Sequence, residues 1–278
     1  MSLRALTSVW TIDSEAMTLL GQLAALAALY VAAVAHGNRT NRSRRRWPRR
    51  RTVCFLAGLA VAGIDLCSGI GTQADSRLSA HMLEHMIIWL IVAPLLAAAA
   101  PVRLAFYSLP RASRRRLAQC LRSRAISTLT GTLGAVSVFS LVLPLTHVPA
   151  VYGLTLTNQY AHEAEHALYL ITALLVWAPL IGADPLPHRP SARRQIACTS
   201  LCMVPMLLIA VWLALAPHPV YLHYLAVLGP KALHDQRLAA TIMWAGCLPA
   251  FAVPAVARAA QRPSIRPSSR GRLNRVPA

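Results

Sequence analysis

The side chains able to do chemistry fall into two short strings. His81, Glu84 and His85 open one apolar run, and His162, Glu165 and His166 open another. Positions i, i+3 and i+4 share one helical face, so each string presents two imidazoles and a carboxylate together. Both stand at the head of a segment apolar enough to cross a bilayer, where an unpaired ionisable group costs about 2.5–3.5 kcal/mol or more. A His pair at i, i+4 chelates well, and imidazole suits zinc, copper, iron and nickel. Met82, Met86 and Met243 would add thioethers that favour copper, although Met is also an ordinary apolar filler. The expected ligands are therefore His81, His85, His162 and His166, with His147 next. Glu84 and Glu165 serve either as ligands or as acceptors that orient the imidazoles.

Other chemistry fits the same letters. His162-Glu163-Ala164-Glu165-His166 spells His-Glu-x-x-His, and His81-x-x-Glu84-His85 is its inverted form. Either suits a zinc protease with Glu163 or Glu84 as general base, but no third-ligand motif follows. His85 and His166 could be axial haem ligands, though acids beside both would crowd an apolar porphyrin pocket. A transporter of copper or protons would need polar groups through the inner half as well. There the chain offers mainly Ala, Leu, Val and Trp89, with Cys198 and Cys202 as a soft pair near the far face.

The elements that must hold these residues are apolar helices. Of the 278 residues, 56% are hydrophobic and only 13% charged, against about 25% charged in a soluble domain. Seven runs, near 15–36, 52–71, 79–100, 124–145, 160–181, 196–216 and 237–257, reach the ~17–25 residues that span a bilayer. The fold expected is all-α, a polytopic bundle over residues 1–257 with a disordered basic tail at 258–278. The net charge of +19 would suit nucleic acid. Its distribution points elsewhere: alternate loops hold 24 basic residues and the other side four, Arg4, Arg77, Lys231 and Arg237. By the positive-inside rule the N-terminus is outside and the C-terminus cytoplasmic. The basic loops also suit anionic lipid. No cleavable signal peptide is expected, since the basic cluster follows the first apolar run. The six cysteines lack the spacing of a disulfide scaffold. A retinal protein is excluded, because the sole lysine, Lys231, precedes the last helix.

This topology puts eight of the ten histidines on the outer side, leaving only His36 and His188 inside. Asp65 lies at a depth similar to His85 and His166 as a further donor. His218 and His223, in a Pro-rich outer loop, are candidates to admit or pass on metal. Asp235 is expected to stabilise the start of its own helix.

Several strings in order carry a family resemblance. They are His81-Met82-Leu83-Glu84-His85-Met86 with Ala93-Pro94 and Pro101, His147-Val148-Pro149-Ala150-Val151-Tyr152, and Glu165-His166 with Trp177-Ala178-Pro179. Asp184-Pro185, Ala216-Pro217-His218-Pro219-Val220-Tyr221, and Asp235-Gln236 with Ile242-Met243-Trp244 complete them. Over most of residues 52–250 the chain resembles the CtaG-type cytochrome c oxidase assembly factors, bacterial seven-helix membrane proteins. The resemblance implies a non-catalytic metallochaperone of the cytoplasmic membrane that matures a haem–copper oxidase by supplying or positioning copper. Oxidase subunits, and a copper chaperone, would be its partners. The chain departs from the pattern after Asp65, where Ser-Pro is missing, and at Ala240, where Gly is usual.

Overall fold

The computed structural model describes residues 14–40, 46–186 and 191–261, and every regular element among them is helical. In chain order they are α1 (Ser14–Thr40), α2 (Arg49–Cys67), α3 (Gly71–Ala74) and α4 (Leu78–Ile87). A π-helical turn, Ile88–Val92, joins α4 without a break to α5 (Ala93–Ala99). Then follow α6 (Pro101–Ser108), α7 (Arg111–Leu121), α8 (Arg124–Leu129), α9 (Thr132–Thr146), α10 (Pro149–Thr157) and α11 (Gln159–Ile181). The described residues end with α12 (Ala192–Leu215), α13 (Leu222–Leu228) and α14 (Ala232–Gln261).

Four stretches are long and apolar enough to cross a membrane: Ala16–Thr40, Leu78–Ser108, Gln159–Ile181 and Arg193–Leu215. Helices α9 and α10, bent by 74° at their junction, make a fifth if counted as one span. Among the described residues α2 falls short of that measure, and the run expected at 237–257 extends past the residues whose side chains are described. Three arginines occupy the first turn of α2, and Asp65 adds a further charge near its end. The run expected as one helix over 124–145 is interrupted at Thr130–Gly131. The chain doubles back so tightly there that a Cβ on Gly134 would collide with the Thr128 carbonyl. Of the basic tail expected at 258–278, the first residues continue α14 as helix to Gln261, and the rest, like Arg4 and His188, lie outside the described residues.

The core forms where α12 packs on α14, α14 on α4, and α5 on α2 and α11. Buried Ala93, Ala97 and Ala173 permit close backbone approach between α5 and α11. Pro94 explains the irregular turn above them. In the π register a residue bonds the carbonyl five back, and Pro94 has no N–H to give Trp89. The freed carbonyl accepts instead from the Trp177 indole of α11, at 2.7 Å. A local defect dictated by one proline thus ties the two site-bearing helices together just below the polar strings.

Candidate metal centre

His81 stands three residues into α4 and His162 three residues into α11. At 1.5 Å per residue, His85 and His166 then lie about 10 Å along their helices. The two strings meet and cross. Glu165 Oε2 lies 3.5 Å from His81 Nε2 and 4.0 Å from His85 Nε2, while Glu84 Oε2 lies 3.9 Å from His166 Nε2. The rings of His81 and His162 stack at 5.3 Å, and those of His85 and His166 meet edge to face at 5.5 Å. Each carboxylate therefore serves the histidines of the other helix. Close backbone contacts of α11 fall on the π turn and α5 instead of α4, so at the level of the cluster side chains fill the space between.

These separations decide what the arrangement can do. They exceed the 2.7–3.2 Å of a good N–H···O hydrogen bond, so the carboxylates do not satisfy the imidazoles directly. Two donors on one tetrahedral ion, each bonded at about 2.0–2.1 Å, stand about 3.3 Å apart. Ligand atoms of His81, His85 and Glu165 lie within 4.8 Å of one another, and so do those of His81, Glu84 and His162. Both ring nitrogens of His81 and His85, both oxygens of Glu165, Nε2 of His162 and His166, and Oε2 of Glu84 are buried without a hydrogen-bond partner. Buried polar atoms are nearly always paired. So many unpaired donors converging on one volume form the set that a metal ion would satisfy.

His147 joins from the break between α9 and α10. Pro149 forces its predecessor out of the helical region, leaving Val148 extended at φ −61°, ψ 127°. The His147 Nδ1 sits 2.8 Å from the Leu143 carbonyl. Donation there leaves the lone pair on Nε2, which is buried and unpaired. Tyrosines wall this side. Tyr169 packs on His85 at 4.2 Å and shares a 2.6 Å hydrogen bond with Thr146, and Tyr152 packs on His81 at 5.0 Å. Tyr221 donates to the His147 carbonyl, and Tyr224 donates to the Ala74 carbonyl while bonding Tyr152. Burial pushes the Tyr221 and Tyr224 hydroxyls above the usual tyrosine range, which keeps both as donors. Tyr169 carried no signal in the sequence, and Tyr224 and Thr146, beside His223 and His147, carried none of their own.

The remaining candidates divide. Asp65, on α2, is buried with both oxygens unpaired, and α2 packs on α4. Met82, Met86 and Met243 line a small cavity beside His85 and His147. His218 is exposed. His223 donates to or accepts from no cluster residue among the contacts described; its Nε2 sits 2.8 Å from the Asp75 carbonyl, tying the outer loop to α3. Asp235 sits in the first turn of its own helix, α14, and reaches further than that. Its carboxylate accepts the Ser79 N–H at 3.1 Å and the Ser79 hydroxyl at 2.6 Å, so it caps the start of α4 across the bundle. A helix start has unpaired N–H groups that any carboxylate in reach will take, and the α4 start is the one in reach. Glu163 faces outward, where Gln159 Nε2 donates to it at 3.1 Å.

Fold and site together define an all-helical bundle, with helices long and apolar enough to cross a membrane, that buries a crossed pair of His/Glu strings at one end. The chain belongs to the cytochrome c oxidase caa3 assembly factor family (Caa3_CtaG), whose model matches residues 28–262. The resemblance read from its motifs is the same family. No curated relative and no solved structure matches the chain.

Proposed function

We propose that the protein binds copper at the crossed His/Glu cluster and helps deliver it to a haem–copper cytochrome c oxidase, acting as a metallochaperone without catalytic turnover. One observation carries this reading: buried, unpaired imidazole and carboxylate atoms of two helices stand 3.5–4.0 Å apart, close to the spacing of ligands around one ion. His81, His85, His162 and His166 hold the metal with Glu84 or Glu165. His147, turned by its bond to Leu143, completes or hands on the site. The protein sits in a bacterial cytoplasmic membrane with seven spans, the N-terminus outside, which sets the cluster toward the outer face. Oxidase subunits are the partners, with a soluble copper chaperone as a source.

The competing chemistries fit less well. A protease reading of the α11 string needs Glu163 at the metal, and that carboxylate points outward. A bis-histidine haem needs a porphyrin plane between His85 and His166, whose rings are in edge contact. An open ion route needs a polar floor, but beneath the cluster Trp89 stacks on Phe139 at 4.5 Å and packs against Trp177 at 5.8 Å. The test is elemental analysis and an absorption spectrum of the purified protein, repeated for His85→Ala and His166→Ala. Cu(II) lost from the cluster in both variants is expected. A haem band lost from both, or zinc with peptide cleavage, would overturn the reading. Reporter fusions at each loop test the seven spans and their direction.

A further inference from the structure

Just beneath the cluster lies a cavity of ≈ 10 Å³, at the lower edge of what one water occupies. Four of the chain's seven methionines line it: Met82 and Met86 from α4, Met206 from α12 and Met243 from α14. All four are buried. Two unpaired imidazole nitrogen sources face the same space, His85 and His147. Met86 is held in place from behind, because a Cβ on Gly246 of α14 would stand 2.5 Å from its Sδ.

We propose that this cavity is a second, soft site that takes Cu(I) on two or three of the thioethers of Met82, Met86, Met206 and Met243 together with His85 or His147; the proposal rests on the copper reading above. Thioether sulfur is a weak hydrogen-bond acceptor but a good soft ligand, and it selects Cu(I) over zinc. The chamber is too small and too apolar for a hydrated ion. Cu(I) enters it by exchanging water for sulfur and imidazole. His85 belongs to both chambers, with one ring nitrogen near Glu165 at 4.0 Å and its ring lining the cavity. The two sites therefore adjoin through a shared ligand: a hard N/O site above and a soft site below.

The test is copper X-ray absorption on the full chain loaded with Cu(I) under reductant, with affinity measured against a chromogenic Cu(I) chelator. Wild type is expected to show Cu–S scattering. The volume-conserving double variant Met206→Leu, Met243→Leu should lose much of it and bind Cu(I) at least ~10-fold more weakly. Its Zn(II) binding at the upper cluster should be unchanged, which also reports that it has folded. His162→Ala should do the reverse, weakening Zn(II) and sparing Cu–S scattering. Cu(I) held by nitrogen and oxygen alone in wild type overturns the soft site while leaving the copper function standing. Failure of wild type to bind copper in either oxidation state overturns both.

Discussion

Glu163 and Glu165 are two residues apart on α11, and replacing either by glutamine removes the same charge. Their surroundings differ completely. Glu163 is exposed and accepts from Gln159, whereas Glu165 is 4% exposed, has no partner for either oxygen, and reaches toward His81 and His85. A cation held between those groups sits within about 4 Å of the Glu165 carboxylate. At an effective dielectric of ~20 a unit pair at that distance gains about 4 kcal/mol. Part of that is offset by desolvation, and the amide that replaces the carboxylate would still offer a neutral oxygen. We therefore expect Glu165→Gln to lose about 2–3 kcal/mol, a fall in affinity of ~30–150-fold. Glu163→Gln should change affinity less than ~2-fold, because an exposed charge at that remove is screened. Competition titration of Zn(II) or Cu(II) into the purified protein reads both variants. Equal effects from the two substitutions, or no effect from Glu165→Gln, would refute the assignment of the inward face as the metal face.

Other consequences follow from particular contacts. Asp235→Ala removes both acceptors that hold Ser79 at the start of α4; a cost of about 2–3 kcal/mol is expected, read as a lowered thermal midpoint in detergent, with Ser79→Ala adding little once Asp235 is gone. Trp177→Phe keeps the ring and strands the Trp89 carbonyl in the π turn; stability should fall by about 1–3 kcal/mol, and a neutral result would mean that the turn does not depend on the indole. His85→Leu should weaken Zn(II) and Cu(II) binding at the cluster while leaving the metal-free protein as stable or more so, since it removes two buried nitrogens that lack partners, each costing about 1–3 kcal/mol. A destabilised metal-free His85→Leu protein would mean that the histidine is there for packing.

Much of the site was legible because it is local. The i, i+3, i+4 spacing of His81, Glu84 and His85 is a property of one helix, and so is its repeat at His162, Glu165 and His166. What no spacing reveals is the crossing of the strings, Glu165 to the histidines of α4 and Glu84 to His166, since that depends on how two helices are set side by side. The Asp235–Ser79 cap joins residues 156 apart and was invisible for the same reason; in sequence Asp235 reads as the cap of its own helix. Met206 was hidden among apolar neighbours, where a methionine looks like filler until three others arrive around the same cavity. The interruption at Thr130–Gly131 was missed because the hydropathy of 124–145 continues across it, and only the close return of Gly134 onto Thr128 breaks the helix.

The location of the cluster has a physical cause in the segment below it. Small buried residues, Ala93, Ala97 and Ala173, let α5 and α11 close on each other. The π turn imposed by Pro94 then shifts the register between α5 and α4, and Trp177 fastens that turn to α11. Above this point the two backbones make few close contacts, so a space opens that apolar side chains from either helix would be expected to fill. It holds six imidazole and carboxylate groups instead, most of them without partners. Filling it with leucine would be the more stable solution for a bundle selected only to fold, because each orphaned polar atom costs free energy that packing would recover. A cluster kept against that cost, in a chamber whose floor is sealed by Trp89 and Phe139, is best explained by the ion that would pair all of its donors at once.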